Sequence, residues 1–480
     1  MAYFHLLSQN GERSIISPMS FTLRQFAQED NFCQQMSLDV FQQVIPPAQI
    51  EAVLAAHGPV GTRNRRLTPR AIIWLVIAMH LFSHCSLAHV FGHLVRGLRF
   101  LWPDPCYQLP GDAALSYRRS QLGAKPLVAL FHSICKPMAT LQTKGAFLFG
   151  LRVMAIDGTI EDVADTPENA RAFGRHRGDR GEGAFPQIQG VSLLECGTHA
   201  IVDAGFWLRQ CSERTGGLRL LRSVGSGMLV MWDRGFHSFQ MVNTTLAREA
   251  HCLGRLPAQA HPQMVRRFSD GSSLVYLLPS AYRERQAGVR TLVRQIEYTL
   301  TDPHLDGYGQ SYRLITSLLD PQTAPALELA CAYHERWEIE RVIDEVDTHQ
   351  RLVGRPLRSL LPMGVIQELY GLLLAHYALR FFMHQAALQA DLDPDRLSFV
   401  HTIEVVQGAI SEFQLAAPQH FNLLYQRLLQ DIASTRLPTR RFRSTSRVVK
   451  QKMSNFALKR PEHYRSYQRD GSFAQVVALI

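Results

Sequence analysis

Two short apolar runs in the middle of the chain each end at an aspartate, and this arrangement constrains the fold more than any other feature. Residues 151–156 lead into Asp157, and residues 228–232 lead into Asp233. Apolar runs of this length, followed by turn residues, are typical of β-strands. A carboxylate at the end of a strand is exposed at the edge of a sheet, where side chains from several elements can converge on a metal ion. The sequence therefore predicts a sheet with an acidic edge.

Further strands are predicted around these two aspartates, and they are residues 188–195, 200–207, 273–278, 293–299 and 312–318. The first two form a predicted hairpin. Helices are predicted from 238 to 250 and from about 324 to beyond Glu340. Asp162 and Asp165 follow the first aspartate closely, but Asp157 is preferred as the functional residue because it directly ends the predicted strand.

The segments on either side of this β-rich part are predicted to be helical. Thr68 and Pro69 are expected to cap and begin a helix that runs through Phe82, and a second helix is expected from Leu87 to Gly97. The preceding loop, residues 63–66, is basic, so this pair of helices is a candidate DNA-binding unit. A solvated charged loop beside a helical bundle is the alternative.

Apolar spacing in residues 364–383 and 402–413 predicts a second helical region from about residue 362. It is followed by a basic segment, residues 436–460, which has nine Lys and Arg residues and no Asp or Glu. We predict that this segment contacts a DNA backbone, and a solvated tail is the alternative.

Charge and length narrow the class of protein. The 480 residues suggest about three domains. Lys and Arg number 51 against 41 acidic residues, which gives a formal charge of +10 and an expectation of a polyanionic partner. The eight cysteines are scattered without metal-site or disulfide spacing, and no secretion signal or membrane span is predicted. A cytoplasmic protein with reduced thiols is expected.

A third candidate carboxylate lies in residues 333–340, with the sequence YHERWEIE. Offsets of three and seven residues place Tyr333, Arg336 and Glu340 on one helix face. Three carboxylates from distant parts of a chain suit a hard cation such as Mg²⁺, and two such ions support in-line displacement at phosphorus. For each carboxylate taken alone, a turn cap or a solvated helix residue is the alternative, so the prediction depends on the whole set.

Several segments, in this order, resemble the DDE transposases of the insertion-sequence-four family, and they are residues 156–159 (IDGT), 165–169 (DTPEN), 233–236 (DRGF), 333–340 and 447–454 (RVVKQKMS). The resemblance spans most of the chain. It implies an α/β ribonuclease-H-like catalytic core with a β-rich insertion, flanked by helical N-terminal and C-terminal regions. In such a core the first aspartate follows the first strand, the second follows the fourth, and the glutamate lies on a later helix.

The expected division is a helical DNA-binding domain over 1–145, a catalytic core over 146–361 with its insertion at about 255–325, and a helical region with a basic tail over 362–480. By resemblance, Asp157, Asp233 and Glu340 are the catalytic and metal-binding residues.

The resemblance also assigns DNA-binding residues, and one position departs from the family. Tyr333, Arg336 and Glu340 match the first three positions of a Tyr, Arg, Glu, Lys signature whose polar members hold phosphates of the transposon end. The fourth position falls on Asp347, which would repel a phosphate. Arg351, close to three helical turns after Glu340, is the expected DNA-binding substitute. A simple ion pair between Arg351 and Asp347, four residues apart, is the alternative.

The implied activity is metal-dependent cut-and-paste transposition of an insertion sequence, through strand hydrolysis and transesterification at terminal inverted repeats. Two Mg²⁺ ions are expected, with Mn²⁺ able to substitute. The expected partners are double-stranded DNA, as inverted repeats and target, and a second copy in a homodimeric synaptic complex at the bacterial nucleoid. Two alternatives stay open: a catalytically inactive, transposase-derived DNA-binding protein, and a nuclease that lacks strand transfer.

Overall fold

The structure is a computed structural model. It describes residues 21–25, 36–59, 67–101, 108–178, 181–305, 307–335, 342–351, 354–438, 442–444, 448–449, 457–461, 467–469 and 471–480.

Six helices form the first part of the chain: α1 (Pro47–His57), α2 (Pro69–Ala78), α3 (Leu87–Leu94), α4 (Arg96–Leu101), α5 (Asp112–Leu122) and α6 (Lys125–Ile134). The Thr68 hydroxyl caps α2 by accepting a hydrogen bond from the Ala71 N–H, at 3.2 Å, which confirms the predicted start of this helix. The helix ends at Ala78, earlier than predicted, because residues 79–82 turn away. The second predicted helix is divided into α3 and α4. The basic loop 63–66 lies outside the described residues.

The middle of the chain is one large sheet, and its strands in chain order are β1 (Phe147–Leu148), β2 (Leu151–Asp162), β3 (Arg175–Gly178), β4 (Gly181–Glu195), β5 (Ala200–Leu208), β6 (Met228–Trp232), β7 (His251–Arg255), β8 (Gln263–Arg267), β9 (Ser273–Leu277), β10 (Thr291–Leu300) and β11 (Ser311–Thr316). The helices between them are α7 (Pro167–Phe173), α8 (Glu213–Leu220), α9 (Phe239–Ala247) and α10 (Tyr282–Gln286), and α11 (Ala326–Glu335) follows β11. The predicted hairpin is formed by β4 and β5.

Five strands of this sheet form its central part, in the spatial order β5, β4, β2, β6, β7. Strand β2 is antiparallel to β4, and β4 is antiparallel to β5, whereas β2, β6 and β7 are mutually parallel. The first and fourth of these strands along the chain are therefore neighbours. This is the placement of the two aspartate-bearing strands that the resemblance implies.

The expectation that Asp157 ends its strand is wrong, because β2 continues for five residues beyond it. Parallel pairing with β6 stops at Ile156 and Trp232, but antiparallel pairing with β4 extends from Met154 to Asp162. Asp157 therefore lies in mid-strand, directly beyond the last residue that pairs with β6. It lies where the parallel pairing of β2 with β6 stops, beside Asp233, although β2 itself does not end there.

The predicted β-rich insertion extends the same sheet. Strand β11 pairs with β7, and β10, β9 and β8 follow outwards in antiparallel order. A strand from the far end of the chain, Val477–Leu479, also pairs with β10. This last pairing was not predicted, since the whole region after residue 362 was expected to be helical with a basic tail.

Three long helices follow the sheet: α12 (Pro362–Gln389), α13 (Phe399–Leu415) and α14 (Phe421–Ser434). They confirm the helices predicted after residue 362. Helix α12 packs against α2, α6 and α14 and is buried on most sides. A Cβ atom at Gly371 would lie 2.7 Å from Val76 Cγ1, so this glycine permits the close contact of α12 with α2.

The short strands that close the described chain are β12 (Phe442–Ser444), β13 (Val448–Val449), β14 (Ala457–Leu458), β15 (Tyr467–Arg469) and β16 (Val477–Leu479). Most of the predicted basic segment 436–460 lies outside the described residues. Buried apolar side chains from the N-terminal helices, the sheet and the C-terminal helices form one continuous cluster. Over the described ranges, every helix is too short or too polar to span a membrane.

Candidate active site

The sheet brings Asp157 and Asp233 side by side. Ile156 pairs with Trp232 in the parallel ladder between β2 and β6, and each aspartate is the next residue of its own chain segment. Neighbouring strands lie roughly 4.8 Å apart. Both carboxylates are half-buried, and the residues before them are buried in the core. The predicted acidic edge is therefore present.

Backbone hydrogen bonds orient both carboxylates. Asp157 Oδ1 accepts from the Gly158 N–H at 2.8 Å. Asp233 Oδ1 accepts from the N–H groups of Gly235 at 2.8 Å and Phe236 at 3.3 Å, which closes the turn after β6. These bonds fix the side chains through Oδ1 of each carboxylate.

The third predicted segment, residues 333–340, is described only as far as residue 335. Tyr333 is buried near the end of α11, whereas Arg336 and Glu340 lie outside the described residues. The chain resumes at Val342, and residues 345–350 form a single π-helical turn. Val342, Ile343 and Asp347 line one cavity together with Asp157. The segment that follows Glu340 thus packs beside the first aspartate.

Arg351 lies between two carboxylates. It forms ion pairs with Glu161 of β2 and, at 3.4 Å, with Asp347. The pair with Asp347 is the alternative that the spacing of four residues predicted. Contact of Arg351 with DNA remains a prediction.

Glu161 is a residue of this site that the sequence interpretation missed. It is buried, and it lies on the same face of β2 as Asp157 because side chains four residues apart on a strand point to one side. That period-two spacing is the signal that would have found it. Burial, and then the Glu161 carboxylate, raise the pKa of Asp347 to about 7.

The other aspartates near Asp157 have structural contacts. Asp162 accepts a hydrogen bond from the Gln187 side chain at 2.9 Å, and Asp165 pairs with Arg175. These contacts agree with the preference for Asp157 as the functional residue.

The DTPEN segment anchors a helix. Thr166 caps α7 and donates to the Leu360 carbonyl at 2.9 Å. Asn169 is fully buried and donates to the carbonyls of Ala164 and Ser359, each at 3.0 Å. The segment therefore fastens α7 to the chain that leads into α12.

Helix α8, which the sequence interpretation also missed, contacts the residue after Asp157 and the turn after Asp233. A Cβ atom at Gly158 would lie 3.0 Å from the Glu213 carboxyl carbon, so this glycine allows Glu213 close to the strand. The exposed Arg214 reaches the Gly235 carbonyl at 3.5 Å in the turn that holds Asp233. Helix α8 thus packs Glu213 against the strand of Asp157, on the face opposite to that carboxylate, and joins Arg214 to the turn that holds Asp233.

The two histidines near the motifs differ in their surroundings. Burial, and then the charge of Arg214, lower the pKa of His237 to about 4, so its ring is neutral near pH 7. His349 Nε2 lies 3.6 Å from Asp344. The neutral ring of His237 is therefore not a candidate cation for phosphate.

Comparisons with known proteins indicate the family of the chain. Residues 35–132 match the family described as insertion element 4 transposase N-terminal, and residues 148–377 match the transposase DDE domain. The chain is 29% identical over 422 residues to transposase InsG for insertion sequence element IS4 of Escherichia coli (strain K12), covering 85% of this chain and 91% of that protein. It is also 24% identical over 230 residues to the putative transposase InsZ of the same strain, covering 46% of this chain and 72% of that protein.

Among solved structures, the chain is similar to one described as a piggyBac transposase synaptic complex with hairpin DNA. The TM-score is 0.41 with 12% identity, covering 84% of this chain and 87% of that one.

Two neighbouring aspartates on the first and fourth strands of a ribonuclease-H-like core, inside a matched DDE domain, define a DNA transposase. More narrowly, the chain belongs to the insertion-sequence-four family of DDE transposases. The predicted fold class and enzyme class are confirmed.

Enzymes of this class depend on a divalent metal ion. Within the described ranges, no group of three or more His, Cys, Asp or Glu side chains is arranged to hold a metal, since Glu340 lies outside them. The donor set nonetheless fits such an ion, because Asp157 and Asp233 present carboxylate oxygens from adjacent strands.

Proposed function

We propose that the protein excises its insertion sequence at terminal inverted repeats and inserts it into target DNA, using two Mg²⁺ ions for which Mn²⁺ can substitute. The register that makes Asp157 and Asp233 neighbours supports this proposal most strongly. Neither aspartate has a role in the hydrophobic core, and both are held by backbone donors at the edge of a rigid sheet.

In this proposal Asp157, Asp233 and Glu340 together hold the metal ions and are the catalytic residues. When bound, such ions supply a polarised nucleophile and charge stabilisation for displacement at phosphorus. The protein fixes the carboxylates before DNA arrives, since the strand ladder and the Asp233 turn are complete in the free chain. Strand hydrolysis frees a 3′-hydroxyl, which then attacks a target phosphodiester.

Tyr333 and Arg336 are the proposed DNA-binding residues of the signature, whereas Arg351, which the resemblance also assigned to DNA, is paired with Glu161 and Asp347 instead. A second candidate contact is a cavity of about 210 Å³ that includes His84, Arg355 and Arg358 in its lining. Arg355 and Arg358 are exposed there, and Arg358 is held by the Cys85 carbonyl at 2.8 Å. Guanidinium groups at fixed positions suit phosphate oxygens. We place a backbone phosphate of the DNA end in this cavity.

The same proposal includes the partners and the organisation of the chain. Two copies hold two DNA ends in a synaptic complex, and the protein works in the cytoplasm at the nucleoid, where its substrate is. The parts 1–145, 146–361 and 362–480 serve as DNA-binding, catalytic and accessory regions. The large basic surplus supports affinity for double-stranded DNA.

A mini-element flanked by the native inverted repeats tests this proposal in cells. The wild-type chain should excise the element and insert it into a recipient plasmid, whereas Asp157→Asn and Glu340→Gln should lower both events by at least about 10³-fold. Protein levels are matched by immunoblot. Excision without insertion would instead support a nuclease, and neither event would support an inactive DNA-binding protein.

A further inference from the structure

The surroundings of Arg351 differ from those of a cation that is free to meet phosphate. Its guanidinium contacts Glu161 on β2 and Asp347 on the π-helical turn, and Nη2 also donates to the Arg355 carbonyl at 3.2 Å. The side chains of Arg351 and Glu161 are only 11% and 8% exposed. Two elements and the following loop therefore converge on one buried cation.

The two ion pairs of Arg351 reach different parts of the active site. Glu161 lies four residues after Asp157 on the same strand and on the same face. Asp347 belongs to the segment that begins two residues after Glu340, and this segment lines a cavity with Asp157. The ion pairs thus connect the strand of the first catalytic carboxylate to the segment that follows the third.

We propose that Glu161, Arg351 and Asp347 form an ion-pair clamp that positions the catalytic carboxylates, and that Arg351 is a positioning residue and not a phosphate ligand. The proposal rests on the proposed DNA cleavage activity. It also accounts for an acidic residue at the fourth signature position. In this chain position 347 supplies a partner for Arg351 and makes no phosphate contact.

The strength of such a clamp comes from its burial. A buried charge that loses its partner is strongly unfavourable, whereas a neutral set of similar size is tolerated. Removing the guanidinium takes away the cation between Glu161 and Asp347, so both ion pairs that join the strand to the π-helical turn are lost. A displacement of about 1 Å at reacting groups is enough to slow a reaction about 100-fold.

The first test separates positioning from DNA contact. Purified wild type, Arg351→Ala and Arg351→Lys are compared for binding to a labelled inverted-repeat end over a range of salt concentrations and for single-turnover cleavage of that end. A clamp predicts unchanged affinity and salt slope for Arg351→Ala, with cleavage about 100-fold slower and partly restored in Arg351→Lys. A phosphate ligand would weaken binding and reduce the salt slope by about one, which would overturn the proposal.

A second test uses neutral replacement. The triple variant Glu161→Gln, Asp347→Asn and Arg351→Gln removes both acids together with the cation. The clamp predicts that it cleaves at least about 10-fold faster than Arg351→Ala, because no buried carboxylate is left uncompensated. Equal or slower cleavage by the triple variant contradicts the proposal.

The control is Arg222→Ala, which removes the half-exposed cation that pairs with another buried carboxylate, Asp203 of β5. Arg222 makes two hydrogen bonds of 2.9 Å with the fully buried Asp203. This variant should lower the melting temperature and keep wild-type cleavage below that temperature. If cleavage in Arg222→Ala falls as far as in Arg351→Ala, the loss is one of general stability and the clamp is wrong. Wild type that binds and never cleaves would contradict the proposed function itself.

Discussion

The charge of Asp347 depends on pH near neutrality. Its pKa is raised to about 7 by burial and by Glu161, while Arg351 opposes that shift and Asp344 adds to it. An acid with a raised pKa in the folded state keeps its proton after the unfolded chain has lost it. Its contribution to folding stability therefore falls as pH rises from about 4 to about 7, and is constant above that.

Asp347→Asn removes this dependence. We expect the variant to gain melting temperature relative to wild type at pH 8, and to gain less at pH 5.5, as measured by calorimetry in the same buffer series. Asp344→Asn, at an exposed neighbouring acid, is the control and should show a much smaller pH-dependent difference. A gain that is equal at both pH values would show that Asp347 is not protonated in the folded chain near neutrality.

At the scale of elements, Asn169 shows how a motif can serve packing. Its amide holds the carbonyls of Ala164 and Ser359, so α7 is tied to the chain before α12. Asn169→Ala leaves both buried carbonyls without this donor and should cost about 1–3 kcal/mol of unfolding free energy. Chemical denaturation measures this, with the exposed neighbour Glu168→Ala as control. A change below about 0.5 kcal/mol would contradict the anchoring role.

Strand β16 offers a second test at this scale. It covers the edge of β10 through the pairs of Tyr298 with Leu479 and Leu300 with Val477, and the Thr301 N–H donates to the Val476 carbonyl at 2.9 Å. Deleting residues 473–480 should expose this edge and speed amide exchange at Thr301 by more than about 10-fold. Ile480→Ala, which leaves the strand in place, should not. Unchanged protection of Thr301 in the deletion would show that β16 does not stabilise the sheet.

Local patterns predicted most of the elements, and the missing parts depend on long-range pairing. Strand β6 and the cap of α2 were predicted correctly because apolar length and capping residues are local signals. The length of β2 was underestimated because its last residues are paired only with β4, and no local pattern shows that partner. The return of β16 to the sheet was missed for the same reason.

In the site, too, local signals were predicted and long-range contacts were missed. Asp157 and Asp233 were found from strand ends and from motif resemblance, whereas Glu161 and Arg214 reach the site through strand register and the packing of α8. The position of Arg351 was predicted as either a phosphate contact or a partner of Asp347. Its ion pairs now favour the second role, although Glu161 as its other partner was not anticipated.

Across the whole molecule, the proposed activity depends on a rigid sheet that presents its carboxylates before DNA binds. The buried cluster that runs through the N-terminal helices, the sheet and α12 makes this scaffold continuous. The carboxylates should therefore affect the chemical step far more than the binding of the DNA end.

Single-turnover cleavage of a synthetic inverted-repeat end by wild type and Asp233→Asn, with and without Mg²⁺, tests whether the aspartates of β2 and β6 form the catalytic centre. We expect both proteins to bind the end with similar affinity, wild type to nick it at the element boundary only when the metal is added, and Asp233→Asn to be at least about 10³-fold slower. Metal-dependent nicking by Asp233→Asn at the wild-type rate would show that the aspartate pair of β2 and β6 is not the catalytic centre.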